Sequence, residues 1–566
     1  MIKNLKSVLK IIPFKTKYKL ISIAVLTSVG AFLDILSIGA LIPLLNFIEN
    51  KEFINEMIDY APIGKNFIQN LDGNETIITL CIFFLFIFFL KTIFSIFVLK
   101  YQIGFVSRLK YELTTFFFKI YSLKNFNFFK QNSSNKILVD IDKSIIEFCN
   151  RFVFATLVIF SETLIISAYF IFFAIIGNYS FFYVSIYLLL IFVLFNFLTK
   201  NKITKASKVW QNLNVKKIKI LQEYVRGVRE IKTKRNGYFF INLFKNYSYN
   251  FEKSYASFNF LQLVNRPIIE FLLLSALITY FLFLLKIKNF DTAIFDFIII
   301  CVVAIRLAPS FSRIIYNFSN LKFSLPFAKK VFSELLNLKV NNIKKKSLKN
   351  IQQIEFCNID FEYNNKKIFK NLNFLLEKNQ HVCIVGPSGS GKSTFIELML
   401  GLIKHNRGQI LINKNINFDL DKQILPATYI PQEPIILDDS IKNNIIFGEG
   451  NFDEKNFLES VDISSINEWI KNLKDGINTV TGEFGGKISG GQKQRLAIAR
   501  GIYSNKEIII MDEPLSAVDH ITKEKIFSKL FEKMKNKIVI VITHDKSNLK
   551  YFQHIYSLEN YTLKKI

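Results

Sequence analysis

The sequence predicts an α-helical six-span transmembrane domain fused to an α/β P-loop domain. Three observations carry this reading: long apolar stretches confined to the chain before about residue 320, a glycine-rich loop set between an apolar run and a helical pattern at 386–394, and an apolar strand that ends in two acids at 512–513. A length of 566 residues allows several domains. Hydrophobic residues make up 50% of the chain and 61 are Phe, more than a water-soluble core requires.

The stretches at 19–47, 76–100, 150–177, 180–199, 258–286 and 291–318 each reach the ~20 apolar residues that cross a bilayer as a helix. Only Gly177-Asn178-Tyr179 separates the third from the fourth, which predicts a tight turn. The connectors after the second and fourth spans are long and charged and keep helical periodicity, so membrane helices are expected to continue well into water. Charge sets the orientation. Lys3, Lys6, Lys10, Lys15 and Lys17 precede the first span, and the 200–235 connector is dense in Lys and Arg. The first inter-span loop is acidic instead, with Glu49, Glu52, Glu56, Asp59, Asp72 and Glu75 against Lys51 and Lys65. The positive-inside bias places both termini and both long connectors in the cytoplasm.

Residues 1–18 read as a basic amphipathic helix on the membrane surface, residues 19–325 as the transmembrane domain, 326–350 as a linker marked by Asn341-Asn342-Ile343-Lys344-Lys345-Lys346-Ser347, and 351–566 as the soluble domain. No secretory signal is expected, because the first apolar span is too long and lacks a cleavage site. The net charge of +28 follows from this topology, and nucleic acid is not an expected partner. Five scattered cysteines without a C-x-x-C pair argue against a disulfide framework or a zinc site.

In the soluble domain, the run His381–Val385 leads into Gly386-Pro387-Ser388-Gly389-Ser390-Gly391-Lys392-Ser393-Thr394. That is the strand, loop and helix of a P-loop, whose backbone N–H groups turn onto phosphate oxygens. Lys392 is placed to reach the β and γ phosphates and Ser393 to ligate Mg²⁺. Downstream, Ile508-Ile509-Ile510-Met511 ends in Asp512, suited to hold Mg²⁺, and Glu513, suited to orient or deprotonate an attacking water. Between them, Ser489-Gly490-Gly491-Gln492 opens a helix and offers a second backbone anion site.

These motifs, in this order, resemble the ABC transporter family across the whole soluble domain, with Ile488 where the signature usually has Leu. The resemblance implies a P-loop ATPase domain of ABC type that uses ATP and Mg²⁺. It gives further residues their parts: Tyr363 stacks on adenine, Gln432 senses Mg²⁺, Asp519 belongs to a dimer-contact loop with Ser516-Ala517-Val518, and His544 touches the γ-phosphate. Gly482-Glu483 matches the loop that meets the coupling helices. The signature Ser489–Gln492 then faces the nucleotide of another copy, so a homodimer is implied. A heterodimer with a related chain remains open.

The membrane domain resembles the exporter type, whose ATP-driven closure opens a cavity outward. Candidate coupling segments are Asn125–Ser134 and Thr233–Leu243, and no peptidase domain is expected ahead of the first span. Lys91, Arg266, Arg306 and Arg313 interrupt apolar spans, where charge is costly and usually functional. They could grip a phosphate or pyrophosphate; alternatively Arg266 pairs with Glu270 one turn on, and Lys91 and Arg313 reach the interfaces. Phe32-Leu33-Asp34 through Pro43 and Arg306-Leu307-Ala308-Pro309-Ser310 with Arg313 resemble PglK-type flippases of lipid-linked oligosaccharides in the bacterial inner membrane. That resemblance implies a polyprenyl-pyrophosphate-linked glycan as substrate and a short external helix at 52–70. A lipid or multidrug exporter, and an ATP-gated channel or regulator, stay open beside it.

Overall fold

The computed structural model describes residues 14–39, 73–176, 180–287, 290–336, 345–363 and 366–566. Of the surface helix at 1–18, residues 1–13 lie outside the described residues and 14–18 run unbroken into the first spanning helix; the external helix at 52–70 and the turn at 177–179 also lie outside the described residues. The chain divides into two compact units, Met1–Lys124 with Gln131–Val340, and Asn125–Lys130 with Asn341–Ile566.

Helices dominate the N-terminal part: α1 (Phe14–Gly39), α2 (Gly73–Ser122), α3 (Phe126–Gln131), α4 (Ser134–Ile141), α5 (Lys143–Glu147), a π-helical stretch at Phe148–Val153, α6 (Phe154–Ile176), α7 (Ser180–Arg226), α8 (Val228–Thr233), α9 (Gly237–Leu263), α10 (Asn265–Ile287) and α11 (Phe290–Leu336). Among the described residues, six candidate spans are long and apolar enough to cross a membrane. The 50 residues of α2 run to about 75 Å, more than twice a ~30 Å hydrocarbon core. Continuation of spans into long helices is therefore observed, as the periodic connectors require. One core cluster of this unit joins Tyr169 and Phe173 of α6 to Ile269 and Leu273 of α10 and Leu307 of α11. A second gathers aromatic rings: Trp210 stacks on Phe251 at 5.0 Å, and Phe258 on Phe323 at 4.1 Å. Part of the phenylalanine excess is spent there.

Several boundaries differ from the sequence reading. Helix α11 continues through Pro309 and Pro326 to Leu336, so residues 326–336 are helix rather than linker. The helix persists because its buried face, with Phe323, Phe327 and Val331, outweighs the bonds that proline removes. The second coupling segment also shifts. Its first residue closes α8, the break falls at Lys234–Asn236 where Arg235 adopts φ +55°, and Gly237–Leu243 already belongs to the long α9.

The second unit is built on sheets. Strands are β1 (Lys346–Ser347), β2 (Gln353–Tyr363), β3 (Lys366–Glu377), β4 (His381–Val385), β5 (Arg407–Ile412), β6 (Ile416–Asn417), β7 (Gln423–Ile424), β8 (Ala427–Ile430), β9 (Ile508–Asp512), β10 (Ile538–Ile542), β11 (His554–Glu559) and β12 (Thr562–Lys565). The main sheet has the order β12-β11-β4-β10-β9-β8, parallel except for the β11–β12 hairpin. All five residues of β10 are buried, which is why this strand is an unbroken apolar run. An antiparallel sheet, β3-β2-β5-β6, packs its Phe356 and Phe374 on Phe395. Because β1 pairs with β7, Lys346 and Ser347 belong to this unit and not to a linker. The remaining helices are α12 (Lys392–Met399), α13 (Ile441–Ile446), α14 (Glu454–Ile463), α15 (Asn467–Lys471), α16 (Gly490–Tyr503) and α17 (His520–Lys533).

Candidate functional site

The parallel strands β4, β9 and β10 bring their C-terminal ends together, with Ile542 in register with both Ile384 and Asp512. Ligand chemistry in open α/β sheets gathers at such an edge. The loop after β4 is committed to glycine. A Cβ on Gly386 would lie 2.7 Å from the Leu558 carbonyl oxygen, and Gly391 has φ +108° with a Cβ position 2.8 Å from Ile368 Cγ2. Lys392 is buried at the start of α12, and its ammonium donates to the carbonyls of Gly386 and Pro387, both at 2.8 Å. Burial lowers its pKa, while the charges of Glu513 and Asp512 pull the other way. The Ser390 hydroxyl is buried without a partner among the described residues. A cradle of backbone amides with an orphaned hydroxyl and a bracing ammonium fits a polyphosphate.

At the end of β9 the two acids take different surroundings. Asp512 Oδ2 accepts from the Tyr429 hydroxyl at 3.2 Å, and burial raises the Asp512 pKa, with Glu513 adding to the rise. Burial likewise raises the Tyr429 phenol, helped by Asp512 and then by Glu397. Glu513 sits in the left-handed region at φ +46°, an uncommon place for glutamate that costs about 1–3 kcal/mol. Its carboxylate is bracketed: Gln432 Nε2 donates to Oε2 at 2.7 Å, and His544 Nε2 lies 3.2 Å from Oε1. The expected metal ligands Ser393, Gln432 and Asp512 supply a hydroxyl, an amide oxygen and a carboxylate, a hard oxygen set that suits Mg²⁺. No cluster of three or more His, Cys, Asp or Glu side chains competes for a metal among the described residues. Behind Glu513 lies a pocket of about 220 Å³, lined also by Ser516, Lys523, Thr543 and Asn548.

Ser489 caps α16 in a reciprocal box with Gln492: the Ser489 hydroxyl accepts from the Gln492 N–H at 3.3 Å, and Gln492 Oε1 accepts from the Ser489 N–H at 2.7 Å. Gly490 and Gly491 line a cavity of about 310 Å³ with Arg495 and Asp519. A Cβ on Gly491 would meet the Ala517 carbonyl oxygen at 2.8 Å, so this approach needs glycine. Asp519 caps α17 by accepting from the Thr522 N–H at 2.9 Å. Among the described residues, no hydrogen bond joins Ser489–Gln492 to Gly386–Thr394.

Tyr363 ends β2, half-buried, with its ring edge-on to Phe361 at 5.1 Å. Its hydroxyl accepts from Lys130 Nζ at 3.2 Å.

In the first unit, α1, α2, α6 and α11 line a cavity of about 1070 Å³. Aromatic residues such as Phe84, Phe88 and Phe94 form much of its wall, and Gln102, Ser161 and Asn317 interrupt it. Two of the four singled-out cations line it, and both are paired. Lys91 Nζ lies 2.5 Å from Asp34 Oδ1. Arg313 holds Glu162 bidentately, Nε to Oε1 at 2.5 Å and Nη2 to Oε2 at 3.0 Å. Arg266 instead binds Glu270 at 2.8 Å on an exposed helix face outside the cavity, as the alternative reading had it. The Arg306 side chain lies outside the described residues.

Residues 369–516 match the family described as ABC transporter. A putative export ATP-binding/permease protein of Rickettsia prowazekii is 41% identical over 210 residues, 36% of this chain and 36% of the relative. An ATP-dependent lipid A-core flippase of Syntrophus aciditrophicus is 33% identical over 201 residues, 35% of this chain and 33% of the relative. The chain thus spans about a third of the length of the curated relatives it matches. Over the whole molecule, the structure of a bacterial Atm1-family ABC exporter with ATP bound superposes with a TM-score of 0.80 at 18% identity, covering 97% of this chain and 95% of that one.

The fold is that of an ABC exporter. Its second unit is an ATPase domain of ABC type, and its first carries the spanning helices of that fold.

Several residues of this ABC exporter fold escape sequence reading. Gln494, buried in α16, donates to the Ser516 hydroxyl at 2.8 Å and accepts from the Ala517 N–H at 2.9 Å, tying the signature helix to the Ser516–Asp519 loop. Tyr429 and its bond to Asp512 carried no motif. Asp34 and Glu162 were equally detectable as acids inside apolar spans, by the same rule that flagged their basic partners.

Proposed function

We propose that the chain is an ATP-driven exporter of the bacterial inner membrane that moves an amphiphile, a lipid-linked oligosaccharide, from the cytoplasmic to the outer leaflet. The helices from residue 19 through Leu336 serve as the transmembrane domain, and the residues from Lys346 to Ile566 as the nucleotide-binding domain. The observation that carries the ATPase half is Glu513, clasped between Gln432 and His544 next to the Lys392 loop. A carboxylate so held presents one face to a water, which it orients and deprotonates. Gln432 and His544 fix its rotamer and restrain its motion. Lys392 would leave its own loop carbonyls to brace phosphate oxygens, with Ser393, Gln432 and Asp512 holding the cation. Mg²⁺, when bound, neutralises charge on the phosphate oxygens. Tyr363 offers a ring face to adenine. Since Ser489–Gln492 stands apart from the loop 386–394 within one copy, a homodimer pairs each loop with the partner's signature.

The cavity supports the transport half. Its aromatic wall suits a polyprenyl tail, and its hydroxyl and amide groups suit sugar hydroxyls. Arg313 makes no hydrogen bond through Nη1 among the described residues, so it can take a phosphate oxygen without releasing Glu162. The similarity to a protein named as a lipid A-core flippase agrees with a lipid cargo. A second reading, export of uncharged lipids or hydrophobic drugs, draws on the pairing of Lys91 with Asp34 and Arg313 with Glu162, which cancels cavity charge among the described residues.

Glu513→Gln tests the ATPase assignment. The variant should retain ATP and lose turnover by about 100-fold or more, the scale of removing a positioned general base. Near-normal hydrolysis in this variant would remove Glu513 from the mechanism.

A further inference from the structure

The segment Asn125–Lys130 belongs to the ATPase unit, although the residues on either side of it belong to the other. Phe126 of this segment packs against the core that includes Phe361 and Phe369. Lys130 is more specifically engaged. Its ammonium lies 2.7 Å from both Glu397 oxygens and 3.2 Å from the Tyr363 hydroxyl, so three partners meet its three donors. Glu397 stands on α12, the helix that begins at Lys392. One lysine therefore joins the phosphate-loop helix to the ring offered to adenine.

The position of the ammonium against that ring decides what it can do. It lies 3.2 Å from the hydroxyl oxygen but 5.2 Å from the ring centre. Those two distances place it beyond the hydroxyl edge and not stacked over the ring face. Lys130 thus fixes the tilt of Tyr363 from its hydroxyl rim. Stacking energy depends on that tilt, and an unrestrained half-buried tyrosine loses rotamer freedom when a base binds.

We propose that Lys130, clamped by Glu397, is a positioning residue for Tyr363 and so sets the affinity of the site for ATP. The inference rests on the reading of Tyr363 as the base-stacking ring.

The test is steady-state ATPase of the full-length protein in lipid nanodiscs, comparing wild type with Tyr363→Ala, Tyr363→Phe, Lys130→Met, Lys130→Arg and the double variant Lys130→Met/Tyr363→Phe. Lys130→Met should raise KM for ATP by about fivefold, the scale of one lost charge-assisted hydrogen bond, while kcat changes less than twofold. Lys130→Arg, which still offers a charged donor, should restore KM. In the Tyr363→Phe background, Lys130→Met should add nothing, because the bond is already gone. An unchanged KM in Lys130→Met alongside a raised KM in Tyr363→Ala would overturn the role of Lys130 and keep that of Tyr363. An unchanged KM in Tyr363→Ala would overturn the stacking reading itself, and the inference with it.

Discussion

The pair Glu162–Arg313 should respond asymmetrically to loss of either member. Glu162 is 8% exposed, whereas Arg313 is 52% exposed. Replacing Arg313 by Gln strands a buried carboxylate, a change that costs about 3 kcal/mol unless the group protonates. Replacing Glu162 by Gln leaves a guanidinium that is half in the open and can be hydrated, so the cost falls to about 1 kcal/mol. The double variant leaves no charge behind and should recover most of the loss, since the interaction energy is shared by two touching groups. Thermal unfolding of the purified protein in nanodiscs reads the order directly. The melting temperature should fall most for Arg313→Gln, less for Glu162→Gln, and by less than the sum for the double variant. Equal losses for the two single variants, or strict additivity in the double, would refute the assignment of Glu162 as the buried, dependent partner.

Two further outcomes follow from the ATP site. Asp512→Asn should raise the melting temperature at neutral pH while abolishing ATPase activity, because burial raises the Asp512 pKa and the fold therefore disfavours its charge. The sign is fixed by linkage: the penalty is full above the raised folded pKa, shrinks as pH falls below it and is gone below the unfolded pKa, so the advantage of Asn should shrink in melts taken from pH 7 towards the carboxylate range. Gly391→Ala should fold yet lose nucleotide affinity by more than about tenfold in equilibrium binding, since the added methyl meets Ile368 at a backbone angle that favours glycine.

Much of the ATP site was legible because its residues are contiguous. Gly386–Thr394, Ser489–Gln492 and Asp512–Glu513 are short runs whose spacing within a strand or helix terminus already dictates which atoms converge. Gln432 and His544 came from resemblance, and the structure places both on Glu513. What stayed hidden are partnerships across long sequence separations: Gln494 with Ala517, Tyr429 with Asp512, and Lys130 with Glu397 are tertiary facts that no local period encodes. In the membrane unit the same limit applies. Periodicity announced long helices, but where they end depends on buried contacts, and α11 passes two prolines to reach Leu336. The intramembrane cations were visible as single charges. Their partners Asp34 and Glu162 lie on other helices, so the sequence offered isolated cations where the fold presents ion pairs.

The central claim is that Glu513-dependent ATP hydrolysis moves a lipid-linked glycan across a bilayer. The most direct measurement is the transbilayer movement of a fluorescent polyprenyl-pyrophosphate oligosaccharide in proteoliposomes, with and without ATP, for the wild type and for Glu513→Gln. The account expects ATP-dependent movement in the wild type and none in the variant. Vigorous ATP hydrolysis by the wild type with no movement of the glycolipid would contradict it.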